Sequence, residues 1–175
     1  LFRSLFPHSL TAQSNPNPKV RSVILLWLWG GPPHLDLWDP KPNAPLEYRG
    51  PYAPIDTKVP GIRVSELHPK LARQMDDWVI LRSLQSGSID HGVAGTFGLT
   101  GSGAGGLDLG GQKLPGTPRP ALGSVLGRLR GYKPPLPPYM VVGGKLHQGK
   151  KPIIGEGGGT LGGLYDPFRL DYDGE

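Results

Sequence analysis

A histidine and an aspartate with the chemistry of metal ligands stand two positions apart, at His34 and Asp36. They follow an apolar run and a Gly-Gly-Pro-Pro turn, and Asp39 comes shortly after them. A neutral imidazole nitrogen and carboxylate oxygens together suit a divalent metal ion. The alternative is that these side chains satisfy backbone amides of the loop, as aspartates in Asx turns do. The spacing alone favours this local role over the metal-site hypothesis.

A second pair of polar side chains, Asp90 and His91, precedes a run of small residues that predicts a helix. A histidine at such a place can act as a ligand, a general acid or base, or a phosphoryl acceptor, and the free amides of a helix start attract anions. Ser86 and Ser88 offer hydroxyl groups in the same loop. The alternative, supported equally by the local sequence, is that Asp90 caps the helix and His91 has no special role.

Apolar runs and helical periodicity predict the elements that must position these residues. Val23 to Trp29 is a continuous apolar run, typical of a strand buried on both faces of a parallel sheet. Leucines and a methionine recur every four residues and predict a helix over residues 65–75. Further strands are expected at 78–83, 139–142 and 153–154, and further helices from residue 91 and over 121–129. Strands that alternate with helices predict an α/β fold, in which ligands bind beyond the carboxyl ends of the strands.

The composition excludes several classes of function. The 175 residues include no cysteine, which rules out disulfides, thiolate ligands and a cysteine nucleophile. The net charge of +5 is modest and the basic residues are scattered, so no nucleic-acid partner is expected. No apolar stretch reaches the roughly 18 residues of a membrane span. The glycine clusters match neither a Walker loop nor a dinucleotide-binding motif, and no serine lies in a Gly-x-Ser-x-Gly turn.

The chain is expected to hold a short arm and one domain. Residues 1–20 contain prolines that block a helix, and they are interpreted as a disordered arm or as the remnant of an export-signal region. Residues 21–175 form the domain, whose many glycines and prolines predict long loops. His147 and Glu156 lie on such loops, where the sequence names no partner for them.

Several motifs resemble those of the DUF1501 family, a domain-of-unknown-function family of bacterial exported proteins. The most specific is Trp29-Gly30-Gly31-Pro32-Pro33-His34-Leu35-Asp36-Leu37-Trp38-Asp39-Pro40-Lys41-Pro42. The others are Val59-Pro60-Gly61-Ile62, Leu81-Arg82-Ser83, Asp90-His91, Leu99-Thr100-Gly101 and Leu161-Gly162-Gly163-Leu164-Tyr165-Asp166-Pro167-Phe168. The resemblance covers nearly everything from Val20 onward. Family members are much longer, so the chain is interpreted as an N-terminal portion.

That family resembles the sulfatase and alkaline-phosphatase superfamily. The resemblance implies an α/β fold that is a three-layer α/β/α sandwich with a mixed, largely parallel sheet, incomplete in this fragment. It implies metal-assisted hydrolysis, with a divalent metal ion as cofactor and an anionic ester, sulfated or phosphorylated, as substrate. It also implies export to the periplasm or cell envelope, often through a twin-arginine signal.

The chain departs from the superfamily pattern at two places. Gly30–Gly31 stands where sulfatases carry paired metal-binding aspartates, so His34 and Asp36 are the nearest substitutes. His91 stands at the place of the nucleophile, nine residues before the Thr of Leu-Thr-Gly. The leading hypothesis is therefore a hydrolase with His34 and Asp36 as metal ligands and His91 as a ligand or catalytic group. The alternatives are a non-catalytic binding or structural protein that keeps the fold and, less favoured, a glycan-binding module that uses exposed tryptophans.

Overall fold

The computed structural model describes residues 21–29, 31 and 33–171, and the chain divides into two compact units, residues 1–32 and 33–175. The arm expected over residues 1–20 lies outside the described residues.

In the first unit, residues 21–29 form no regular secondary structure, so the strand predicted over residues 23–29 is not formed in this structure. The exposed aliphatic side chains of this run are Val23, Ile24, Leu25, Leu26 and Leu28. The rings of Trp27 and Trp29 are half-buried and stack on each other, with centroids 6.5 Å apart. An apolar pattern indicates burial, but a strand also needs a hydrogen-bonded neighbour, and no ladder partner for this run occurs among the described residues.

The second unit consists of short helices and strands joined by long loops. The α-helices are α1 (His34–Leu37), α2 (Pro69–Arg73), α3 (His91–Thr100) and α4 (Leu122–Arg130). Shorter 3-10 helices lie at Met75–Asp77, Gly159–Leu161 and Gly163–Tyr165. The strands are β1 (Pro54–Asp56), β2 (Arg63–Ser65), β3 (Met140–Val142), β4 (His147–Gln148), β5 (Lys151–Pro152) and β6 (Phe168–Leu170).

The strands of the described residues pair into three separate two-stranded sheets. β1 with β2 and β4 with β5 are antiparallel, whereas β3 and β6 are parallel. β3 confirms the strand predicted over residues 139–142. The strand predicted at residues 153–154 is not formed, because β5 ends at Pro152 directly before them, and the Ile153 side chain is buried. The predicted three-layer α/β/α sandwich stays a prediction, because three short two-stranded sheets neither form such a sandwich nor contradict it.

A small apolar core lies between β1, β2 and α2. Its centre is Val64 (0% exposed), Met75 (1%) and Ala72 (5%). The partly buried residues that pack around it are Ile55, Val59, Ile62, Leu71 and Ile80. Since few side chains are this well buried, each of the three central residues should contribute strongly to stability.

The helix predicted over residues 65–75 is shorter in the structure. Ser65 belongs to β2, where it pairs with Pro54, so α2 begins only at Pro69. Proline suits this first position because the missing N–H would have had no helical partner. A 3-10 turn then carries Met75 into the core. Strand pairing has thus overridden the helical periodicity.

The segment predicted as a strand over residues 78–83 is not a strand in this structure. Trp78, Val79 and Leu81 are 52%, 83% and 72% exposed, respectively. The reason is the same as for residues 23–29, because no ladder partner lies beside this segment among the described residues.

The helices predicted from residue 91 and over residues 121–129 are confirmed as α3 and α4. α3 ends at Gly101, whose φ of 71° is left-handed and whose N–H donates to the Phe97 carbonyl at 2.7 Å. Glycine is the usual residue at such a helix end, because it has no Cβ to clash in this conformation.

Gly101→Ala is expected to lower the free energy of unfolding by about 1–2 kcal/mol, the cost of a left-handed conformation for a residue with a Cβ. A Cβ at Gly101 would meet no atom within 4 Å, so the effect is purely conformational. Gly144→Ala is the matched control, because it also has open space and has no left-handed φ. Urea unfolding of both variants measures the difference, and equal losses would contradict the prediction.

Candidate functional site

His34 and Asp36 both lie on α1, a single helical turn. The amides of Trp38 and Asp39 donate to the His34 carbonyl at 3.0 and 2.9 Å and close this turn. The His34 side chain is exposed and Asp36 is half-buried. Residues two apart on a helix do not face each other. α1 therefore places the two side chains on different sides of the turn.

The imidazole nitrogen of His34 and the carboxylate oxygens of Asp36 are suitable donors for a divalent metal ion, but two residues are too few to form a site. Protein zinc sites use three or four protein ligands. Residues 21–29, 31 and 33–171 contain no group of three or more His, Cys, Asp or Glu side chains that could hold an ion. The two residues alone therefore do not fit a complete metal site. A metal site that includes them stays a prediction and needs ligands from elsewhere.

The guanidinium of Arg82 is the best-connected charged group next to α1, and the sequence did not indicate this role. Its Nε and Nη2 atoms donate to the Trp38 carbonyl at 3.2 and 2.9 Å, and Nη2 donates to the Arg63 carbonyl at 2.8 Å. Nε also lies 3.3 Å from Asp39 Oδ1, while Asp39 Oδ2 pairs with Lys41. The Asp39 side chain is only 13% exposed. Arg82 thus anchors the residues directly after α1.

Arg82→Gln is expected to lower the free energy of unfolding by about 1.5–3 kcal/mol, the usual contribution of hydrogen bonds from a charged group. Arg82→Lys should recover little of this loss, because an ammonium lacks the fixed fork of donors. Arg63→Gln is the control, because its guanidinium makes an ion pair of 3.1 Å with Asp56, which is 89% exposed, and one exposed hydrogen bond of 3.2 Å to the Pro54 carbonyl. Such exposed pairs contribute below about 1 kcal/mol. Urea titrations that show equal losses for Arg82 and Arg63 would contradict this role.

The residues directly after α1 also make an aromatic contact. The rings of Trp38 and His68 stack with centroids 4.5 Å apart and planes 4° from parallel. His68 is the residue that precedes α2. The stack therefore links the end of α1 to the start of α2, whereas Arg82 links it to the backbone of β2.

Asp90 is the N-cap of α3, which confirms the capping role considered for it. Its Oδ1 atom accepts a hydrogen bond from the Val93 amide at 3.0 Å. Its Oδ2 atom accepts a second one from the Leu109 amide, also at 3.0 Å. The Asp90 amide donates to Ser88 Oγ at 3.1 Å. One carboxylate therefore joins the helix start to a loop that is 19 positions away.

These hydrogen bonds favour the ionised form of the Asp90 carboxyl. Hydrogen bonds from the amides of Leu109 and then Val93 lower its pKa below the ordinary value, against an opposing effect of desolvation. The nearby imidazole of His91 lowers this pKa slightly further. Because the folded-state pKa lies below the unfolded one, the stability it contributes is present above the unfolded pKa. That contribution is lost as the pH falls through the folded-state pKa.

His91 is the first residue of α3 and its side chain is exposed. It stands directly after the capped carboxylate, so the helix start holds its backbone in place. The structure brings Asp90 and His91 together with the loop around Leu109. It does not bring His34, Asp36 and His91 into one donor group within the described part of the chain.

Glu156, for which the sequence named no partner, belongs to a cluster of partly buried polar groups. Its Oε2 atom lies 3.3 Å from Arg169 Nη2 and accepts a hydrogen bond from the Leu146 amide at 3.2 Å. The Tyr139 hydroxyl donates to the Glu156 carbonyl at 3.0 Å. Burial, and then the charge of Glu156, raise the pKa of Tyr139. The cluster holds the loop of Glu156 against β6, so its role is structural.

Comparison with known proteins identifies the family alone. No curated protein and no solved structure matches the chain. Among the described residues, no helix has the length and apolar character needed to cross a membrane. The family model described as "Protein of unknown function (DUF1501)" matches residues 20–175. Because this match spans most of the chain and agrees with the motifs, the protein belongs to the DUF1501 family.

Proposed function

We propose that the protein hydrolyses anionic esters of sulfate or phosphate and that His91 is the catalytic group. The start of α3 carries this proposal. The Asp90 carboxylate is held there by two backbone hydrogen bonds of 3.0 Å, while the adjacent imidazole remains exposed. A reactive side chain next to solvent on a rigid helix start is an arrangement that catalysis can use.

In this proposal His91 acts as a general base. The imidazole takes a proton from a water molecule while the water oxygen forms a bond to sulfur or phosphorus. The bond from that atom to the ester oxygen breaks on the opposite side, the departing alkoxide takes a proton from solvent water, and the imidazolium releases its proton to solvent. The products are the alcohol and inorganic sulfate or phosphate.

His34 and Asp36 are proposed as two ligands of a divalent metal ion whose remaining ligands come from outside this pair. A bound ion would stabilise charge on the transferred group. Metal analysis of the full-length protein tests this part. Replacing both residues by alanine should remove the ion, and an unchanged metal content would contradict the assignment.

Export to the periplasm or cell envelope belongs to the same proposal and rests on the family resemblance. Fractionation of cells that make the full-length protein tests it. We expect the protein in the periplasmic or envelope fraction, and its retention in the cytoplasm would contradict the proposal.

A non-catalytic binding or structural protein is the second candidate. It is favoured by the contacts of Arg82 and Glu156, because both charged groups are bound to backbone groups or to other charges. It is also favoured by the small number of candidate metal ligands at α1, which are His34 and Asp36. This candidate expects no hydrolysis of any ester by the full-length protein.

The two candidates are separated by assaying the full-length protein with p-nitrophenyl phosphate, p-nitrophenyl sulfate and the neutral p-nitrophenyl acetate. Each is tested with and without added divalent metal, and with His91→Asn beside the wild type. Hydrolysis of an anionic ester that depends on His91 supports the proposal. No hydrolysis of either anionic ester supports the non-catalytic candidate. Hydrolysis at equal rates by the wild type and His91→Asn would contradict the catalytic role of His91.

A further inference from the structure

The two oxygens of the Asp90 carboxylate bind two different parts of the chain. Oδ1 accepts from Val93 in the first turn of α3, and Oδ2 accepts from Leu109, each at 3.0 Å. An N-cap needs only one of these bonds. The second bond therefore requires an explanation beyond the start of the helix.

Leu109 lies at the tip of a small hairpin formed by residues 107–113. A bridge pairs Leu107 with Lys113, and the Asp108 amide donates to the Gln112 carbonyl at 2.9 Å. Asp108 Oδ1 in turn accepts from the Gln112 amide at 2.7 Å. The hairpin therefore has internal hydrogen bonds of its own, and Asp90 attaches it to α3 as a preformed unit.

The hairpin also packs closely against the first turn of α3. A Cβ added at Gly92 would collide with the Leu107 carbonyl oxygen. Gly92 follows His91 directly, so the hairpin borders the helix turn that carries the imidazole. Contact at Gly92 and the hydrogen bond to Leu109 together place the hairpin beside His91.

We propose that Asp90 is a positioning residue that fixes the 107–113 hairpin as one wall of the substrate site at His91. This inference rests on the proposed function and adds to it a determinant of substrate choice. The wall limits the space available to the alcohol part of the ester. The anionic sulfate or phosphate group is common to all substrates, so esters should be distinguished by the size of their alcohol.

Two substitutions separate the cap from the hairpin attachment. Asp90→Asn keeps one carbonyl oxygen for the Val93 amide, but its amide nitrogen cannot accept from Leu109. Asp56→Asn is the matched control. It removes the same charge from an aspartate of β1 that is 89% exposed, outside α3 and outside the hairpin.

The test uses the full-length protein with hydrogen exchange and with steady-state kinetics on a small and a bulky aryl ester. In Asp90→Asn, exchange of the Leu109 amide should rise at least about tenfold while that of Val93 stays nearly unchanged. The ratio of kcat/KM for the bulky over the small ester should change by about 10-fold or more, because small displacements at a site have large effects on rate. Asp56→Asn should leave this ratio within about threefold.

The ratio of the two kcat/KM values is informative because a general loss of folded protein lowers both values equally. An unchanged Leu109 exchange in Asp90→Asn would overturn the attachment. A released hairpin with an unchanged ester ratio would overturn its role as a wall. A wild-type protein without esterase activity would overturn the proposed function and the wall together, whereas the exchange data would still decide the attachment.

Discussion

His91→Asn is expected to reduce kcat for the hydrolysis of an anionic ester by about 10²–10⁴-fold, the usual contribution of a positioned general acid or base. Asparagine is polar and of similar size, but it cannot exchange a proton near neutral pH. The Asp90 cap uses the Val93 amide and does not involve the imidazole, so the helix should persist. Steady-state kinetics of the full-length protein, with circular dichroism as a check on folding, measures the effect.

His147→Asn is the matched control for this substitution. His147 is also an exposed histidine, and its Nδ1 atom lies 3.0 Å from the Gly149 carbonyl oxygen on a different loop. Its replacement should leave kcat within about twofold, because His147 is an exposed residue of β4 and does not belong to the start of α3. Equal rates for wild type and His91→Asn would remove His91 from the catalytic role.

Met75→Ala should lower the free energy of unfolding by about 2–5 kcal/mol, a larger loss than is expected for Gly101→Ala or Arg82→Gln. The Met75 side chain is 1% exposed and contacts a core that has only two other fully buried members, Val64 and Ala72. The short elements around it cannot move far to fill the cavity, because β1 and β2 are hydrogen-bonded to each other. Urea denaturation followed by circular dichroism gives the change in the free energy of unfolding.

The chain offers an internal control, since it contains only two methionines. Met140, in β3, is 43% exposed, and Met140→Ala should cost below about 1 kcal/mol because little apolar surface is lost from the interior. A loss for Met75→Ala that is no larger than that for Met140→Ala would show that the β1–β2–α2 core does not dominate stability.

Both ends of α3 depend on local interactions, which is why the sequence could offer Asp90 as a candidate cap. Asp90 binds an amide three positions later, and Gly101 binds a carbonyl four positions earlier. Such groups meet whenever the backbone enters the helix, whatever the rest of the chain does. The metal-site hypothesis assumed that His34 and Asp36 lie on an irregular loop that could bring both side chains to one ion. They lie instead in the helical turn α1, which places the two side chains on different sides.

The strands were less predictable for a physical reason. The runs at residues 23–29 and 78–83 have the composition of buried strands, yet neither pairs with another strand in the described part of the chain. Composition reports how strongly a segment favours burial. Strand formation depends in addition on a neighbour that supplies the hydrogen bonds, and this neighbour comes from a distant part of the sequence.

The sequence by itself indicated the family, the helix α3 with Asp90 as one candidate cap, and the candidate residues His34, Asp36 and His91. Only the tertiary structure decided that Arg82 anchors Trp38 across 44 positions and that Asp90 also binds Leu109. The physical reason is the range of the interactions. Caps join residues within one turn, whereas these hydrogen bonds exist only after the chain has folded back on itself.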